Sequence, residues 1–290
     1  MNVPSTRPVA VGIDGSAESQ AALEWAAREA TRRGLPLRLA HAWMEETLFV
    51  PTPPDETVAR RLLDQAAAEV SAGHPELSVT TRLVPDTAAS GLVSESSEAE
   101  LLVLGSRGHG AVIGFLLGSV SQPVIAHAAC PVVSVRATEA RRTTEGDEVV
   151  VGLRDLGPDS GRLLDFAFTS AAVRGAAVRA VHVWGAPSMF GSDVPDMLQQ
   201  RGHQPVEDQQ AALLSEALAP WRERHPSVRV AERLRFGNAS EELLAATSHG
   251  AAMVVVGRRL HRPRLSPHIG GVAHAALHHA ACPVAVVPYG

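Results

Sequence analysis

Short apolar runs alternate along the chain with longer stretches in which apolar residues recur every three or four positions. The runs near 8–13, 37–42, 78–84, 101–104 and 132–135 are strand-sized, and most are apolar without the every-second-residue alternation of a half-exposed sheet. Strands of that kind are buried on both faces, as in a parallel sheet. Between the first two lies a helical stretch, about 17–33, with Leu23, Ala26, Ala27 and Ala30 on one face. Ser16 is placed to cap its start, and Gly34 with Pro36 stops it. Further helices are expected at about 56–72, 88–97 and 119–127. Strand and helix in alternation predict a doubly wound α/β unit of five parallel strands with helices on both faces.

That unit is written twice. RPVAVGIDGS from Arg7 is echoed by DEVVVGLRDL from Asp147, and LPLRLAHAW ending at Trp43 by AAVRAVHVW ending at Trp184. AELLVLGSRG ending at Gly108 returns as AAMVVVGRRL ending at Leu260, and HAACPVVSV from His127 as HAACPVAVV from His279. Equivalent positions stand 141 apart at His41 and His182 but 152 apart at Gly105 and Gly257, so the second copy carries 11 extra residues. The Gly/Pro-rich stretch 185–208 is the expected place for them. The expected division is a leading unit, 1–140, and a trailing unit, 147–290, joined by a polar linker near 137–146.

Composition narrows the class. The 290 residues are 45% hydrophobic and 20% charged, as in a globular protein, and no apolar run approaches the roughly 18 residues needed to span a bilayer. The first residues lack the basic and apolar regions of a signal peptide, which points to a cytoplasmic protein. Cys130 and Cys282 occupy the same position in the two AACPV phrases and are therefore repeat equivalents rather than a disulfide pair. A net charge of −5 gives no footprint for nucleic acid or an anionic membrane.

In doubly wound sheets ligands bind beyond the carboxyl ends of the strands. Strand four ends there in Gly105, Ser106, Arg107, Gly108, His109 and Gly110, and Gly118, Ser119, Val120 and Ser121 open the helix after the loop. Glycines let a backbone approach an anion, and a helix start adds free amides, so the segment reads as a phosphate site. The plainer reading of these glycines is a turn, and that of Asp14 a cap on the first helix.

The spacing of Gly105, two residues, Gly108, nine residues, Gly118-Ser119 resembles the nucleotide-binding signature of the universal stress protein family. GIDGS, SRGHG, LLGSVSQ and HAACPVVSVR extend the likeness over nearly the whole chain. It implies a tandem member that holds ATP, with any Mg²⁺ carried through the phosphates. Gly12 and Asp14 would then lie beside the adenosine, with Asp14 as acceptor, and Ala42 would line the adenine. The stretch 105–110 and residues 118–121 would hold the phosphates. The family's habits also imply a homodimer and a stress- or dormancy-regulating role through an unidentified protein partner. Dimerisation is expected through the edges of the last strands, 132–135 and 284–287. ATP ordering of the 105–118 loop is the expected signal to that partner. No Ser or Cys stands in an activated context and no acidic pair suits two metals, so at most slow ATP hydrolysis is expected. A phosphohydrolase or nucleotidyl-transfer enzyme on the same scaffold is the alternative, and a module empty in both halves a third.

The second copy departs from this pattern. Arg154 replaces Asp14, with Asp155 one place on; Gly257 and Gly270 persist, but Leu260, Gly271 and Ala273 replace a glycine and two serines. Weak or absent ATP binding is expected there, with the side chain of Leu260 as obstruction. Arg258, Arg259, Arg262 and Arg264 read as a solvated loop, or as an anion site built on guanidinium groups. His261, His268, His274, His278 and His279 suggest zinc only weakly, because His279 has a structural twin in His127. His41 and His182 are expected to be satisfied strand-end histidines, and Trp43 and Trp184 to pack under loops.

Overall fold

The computed structural model describes residues 7–43, 56–106, 118–137, 146–185, 204–248, 250–260 and 269–290. The first half runs β1 (Val9–Gly12), α1 (Ala17–Arg33), β2 (Leu37–Ala42), α2 (Glu56–Gly73), β3 (Val79–Val84), α3 (Ala88–Ser96), β4 (Leu101–Ser106), α4 (Ser121–His127) and β5 (Val132–Arg136). The second repeats it with β6 (Glu148–Leu153), α5 (Gly161–Ala172), β7 (Ala177–Trp184), α6 (Gln204–Arg224), β8 (Val230–Phe236), α7 (Ala239–Thr247), β9 (Ala251–Arg259), α8 (Gly271–His279) and β10 (Val284–Tyr289).

Within each half the five strands are parallel, as expected. The strands are buried on both faces. Val9, Val11, Leu101 and Val103 face α1 and α2, while Ala10, Leu102 and Leu104 face α3 and α4. The same division holds in the second half, with α5 and α6 on the first face and α7 and α8 on the second. Helix α4 is shorter than expected and begins at Ser121. Val120, at its start, makes no side-chain cap.

The two sheets are one. Strand order is β3-β2-β1-β4-β5-β10-β9-β6-β7-β8, and β5 pairs antiparallel with β10 through Val132 to Val286 and Ser134 to Val284. This corrects the expectation that 132–135 and 284–287 offer open edges to a second copy. They close on each other within one chain. Because the halves are covalently joined, this internal pairing has a high effective concentration and outcompetes pairing between molecules.

Each seam between halves carries buried arginines. On one face Glu29 of α1 is fully buried and pairs with Arg33 (2.6 Å) and with Arg174, which follows α5. On the other, Arg136 donates to the carbonyls of Leu277 (2.7 Å) and Ala280 at the end of α8, and Arg258 donates to the carbonyl of Ala128 at the end of α4. Cys130 and Cys282 are both buried free thiols, and burial pushes the Cys130 thiol up to about 12. We therefore expect iodoacetamide at pH 8 to leave Cys130 unlabelled in the folded protein and to modify it in urea, read by mass spectrometry.

Candidate functional site

The turn after β1 is set by its own polar residues. Gly15 takes a left-handed conformation (φ 80°), which lets Asp14 fold back. One oxygen of Asp14, Oδ1, accepts from the Ser16 amide at 2.9 Å and from the Ser16 hydroxyl. The Ser16 hydroxyl oxygen in turn accepts from the Ser19 amide at 3.1 Å, capping α1 as expected. Partial burial pushes the Asp14 carboxyl up, but the bonds from Ser16 and Ser19 outweigh it and hold the group below the usual carboxylate range.

Beside this turn, at the carboxyl ends of β1, β2 and β4, lies a cavity of about 270 Å³. Gly12, Asp14, Ala42, Gly105, Ser106, Gly118, Ser119, Val120 and Ser121, all picked out from sequence, line it together. Arg107, Gly108, His109 and Gly110 lie outside the described residues. The side-chain hydroxyls of Ser119 and Ser121 have no hydrogen-bond partner among the described residues.

The sequence reading missed the apolar wall. Ala40, Ala88, Leu92 and Leu104 add to the lining, with Ile13, Ser16, Glu18 and Ser19. Ala88 and Leu92 belong to α3, where they look like ordinary core positions. His41 also lines the cavity; its Nδ1 is 2.6 Å from the Ile13 carbonyl and must donate to it, which leaves Nε2 as an acceptor in the neutral ring. The expected satisfied role is therefore met, with a cavity-facing position added. Its repeat equivalent His182 makes the same contact to Leu153 and a second to Gln210.

Gly105 has a reason that the sequence reading did not give. A Cβ there would fall 2.8 Å from the Ser19 amide and closer still to the Glu18 carbonyl group. The missing side chain admits the first turn of α1. At the equivalent Gly257 the same space is taken by the ring of Tyr289. Helix α5 begins later, after a 3₁₀ turn at Pro158–Ser160, and Tyr289 fills the room that the first turn of α1 takes in the leading half.

In the trailing half the Tyr289 ring thus stands beside Gly257, and Leu260, the expected obstruction, is 41% exposed. Asp155 accepts from Arg259 at 2.6 Å and lies 3.5 Å from the Tyr289 hydroxyl. Neither reading of the arginine-rich loop fits Arg258, whereas the exposed Arg259 fits the solvated one. Arg258 is only 5% exposed and bonded across to the leading half, and Arg259 is committed to Asp155. Arg262 and Arg264 lie outside the described residues. The rings of His274 and His278 lie tilted against each other with centroids 4.2 Å apart, and no group of three His, Cys, Asp or Glu is poised for a metal among the described residues.

Two doubly wound units fused edge to edge, with a cavity beyond the strand ends of the first, define a tandem α/β protein. The family model for universal stress proteins matches the chain twice, over residues 5–136 and 147–288, and the chain belongs to that family. It is 34% identical over 292 residues to a universal stress protein of Mycobacterium tuberculosis, and 33% over 290 residues to one of Mycolicibacterium smegmatis; both alignments cover 96% of each chain. A solved universal stress protein from Archaeoglobus fulgidus shares the fold over 98% of this chain and 99% of its own, with a TM-score of 0.70 at 18% identity. No helix among the described residues is long and apolar enough to cross a membrane.

Proposed function

We propose that the leading half binds ATP at this cavity, and that the protein serves as a nucleotide-responsive stress or dormancy regulator rather than as a dedicated enzyme. The observation that carries the reading is the composition of one cavity, whose lining joins apolar Ala40, Ala42, Ala88 and Leu92 to the Asp14 carboxylate and to the Ser119 and Ser121 hydroxyls, which have no hydrogen-bond partner among the described residues. An adenine suits the wall. Asp14 suits a ribose hydroxyl donor, and Ser119 and Ser121 suit phosphate oxygens. The described lining contains acids, Asp14 and Glu18, and no Lys or Arg. The cation for the anionic end is therefore assigned to Arg107, with His109 beside it, on sequence grounds.

The low basicity of Asp14 supports binding over chemistry. A carboxylate held below its usual range is a poor general base at neutral pH but a dependable acceptor. Where Mg²⁺ accompanies the nucleotide, the phosphates would carry it.

The test is a melting experiment with ATP. At a hundred times Kd, ligand linkage contributes about 2.7 kcal/mol, a shift of roughly 5 °C for a chain of this size. Asp14→Asn keeps an oxygen to accept from Ser16 and so keeps the turn, but loses the charge; it should weaken ATP binding about tenfold with little change in the ligand-free melting point. An unsubstituted protein whose melting ignores millimolar ATP would refute the reading. Steady turnover well above background would replace it with an enzyme.

A further inference from the structure

Arg258 stands in the second repeat where Ser106 stands in the first, and Ser106 lines the ATP cavity proposed above. In the trailing half, where the Tyr289 ring stands beside Gly257 and Arg259 pairs with Asp155, that position faces other demands. The Arg258 guanidinium crosses the seam instead, and its Nη2 donates to the carbonyl of Ala128. Ala128 is 1% exposed and closes α4, so its carbonyl has no access to water. The next residue is tied from its own half, where the Ala129 amide donates to the Ser96 hydroxyl at 2.9 Å. Helix α4 is seven residues long, and the residues that lead into it are Gly118, Ser119 and Val120 on the cavity wall.

We propose that Arg258 is a positioning residue for the nucleotide site of the leading half. By pinning the far end of a two-turn helix, it fixes where Ser119 and Ser121 stand at the near end. The trailing half thus has a part in nucleotide binding by the leading half. It acts as a buttress, and its state and the occupancy of the cavity are coupled through one hydrogen bond. Coupling of this kind is reciprocal: a nucleotide that holds Ser119 and Ser121 in place also favours the seam. A short helix transmits such a constraint well because its turns are hydrogen-bonded rungs with few places to bend. The bond from Arg136 to the end of α8 runs the other way across the same seam.

This inference rests on the ATP reading, and one experiment separates the two. ATP is titrated calorimetrically into the unsubstituted protein, Arg258→Met, Arg258→Gln and Arg174→Lys, each confirmed folded by circular dichroism at the titration temperature. Met keeps the stem and removes every donor. Gln keeps a donor but not the reach, and serves if Arg258→Met does not fold. Arg174→Lys weakens the other face of the seam without touching α4. The expected result is a Kd raised about tenfold in Arg258→Met and at least threefold in Arg258→Gln, with Arg174→Lys within a factor of two of the unsubstituted protein although it melts lower. If Arg258→Met, or Arg258→Gln in its place, binds ATP as the unsubstituted protein does, the positioning role is overturned and the ATP reading stands. Equal weakening in Arg174→Lys overturns it too, since any loosening of the seam would then suffice. No binding by the unsubstituted protein overturns both.

Discussion

Glu29→Gln is expected to destabilise the protein by about 3 kcal/mol or more, measured as the shift in urea unfolding at pH 7. The substitution conserves shape, so no cavity contributes. What it removes is the only charge that balances Arg33 and Arg174 in the described seam. Glu29 is wholly buried, and the two guanidinium groups are each 7% exposed. Their remaining bonds are neutral: Arg33 and Arg174 donate to the hydroxyl and carbonyl of Ser170, each at 2.8 Å, and stack over Phe166 and Trp25. Without the carboxylate, two like charges stay desolvated and face each other. The cost falls on the union of the halves, because Glu29 belongs to α1 and Arg174 to the end of α5.

The same triad gives the protein an acid limit. Burial alone would raise the Glu29 carboxyl, but Arg174 and Arg33 outweigh it and hold the folded value below the ordinary 4.5. A carboxyl depressed on folding contributes its full stability above its unfolded pKa and loses it as pH falls through the folded one. Unfolding midpoints should therefore drop below about pH 4.5 more steeply in the unsubstituted protein than in Glu29→Gln. Parallel curves would show that Glu29 is not the group responsible, and a loss under 1 kcal/mol at pH 7 would show that the triad is not what holds this face.

Periodicity made the strands and helices of each half readable, because a strand buried on both faces is apolar throughout and a surface helix is not. The motif repeats made the duplication readable, and the glycines marked the strand ends where the cavity lies. The seam was not readable, for a physical reason. Whether an exposed-looking strand edge meets a second molecule or its own repeat depends on chain connection and linker length, which leave no mark in the apolar pattern of 132–135. Arg258 and Tyr289 escaped for a related cause. An arginine among arginines reads as solvated until its partner carbonyl is located, and a tyrosine next to the last residue carries no period at all. The adenine wall was hidden differently, since Ala88 and Leu92 follow the same helical spacing as core residues that serve packing alone.

Gly105→Ala should cost about 2–3 kcal/mol of stability and lower ATP affinity more than tenfold, although it adds one methyl group. Overpacking a close contact costs about 1–3 kcal/mol when neighbours must shift. The neighbours here are the main chain of Glu18 and the Ser19 amide, which cannot swing aside as a side chain can. Strand β4 is held on its other side by pairing of Gly105 with Val135, so the first turn of α1 must move. That turn carries Ser19, whose amide is capped by Ser16, and Ser16 anchors Asp14. One displaced turn therefore dislocates the carboxylate that the nucleotide meets. Gly257→Ala is the internal comparison, since its new methyl group meets the buried ring of Tyr289 in the trailing half rather than the main chain of α1. It should cost about 1–3 kcal/mol of stability as well, but with ATP affinity unchanged. Urea unfolding and ATP titration of both variants measure the contrast. Equal, small losses at the two glycines would mean that α1 yields freely and that the close approach does not set the site.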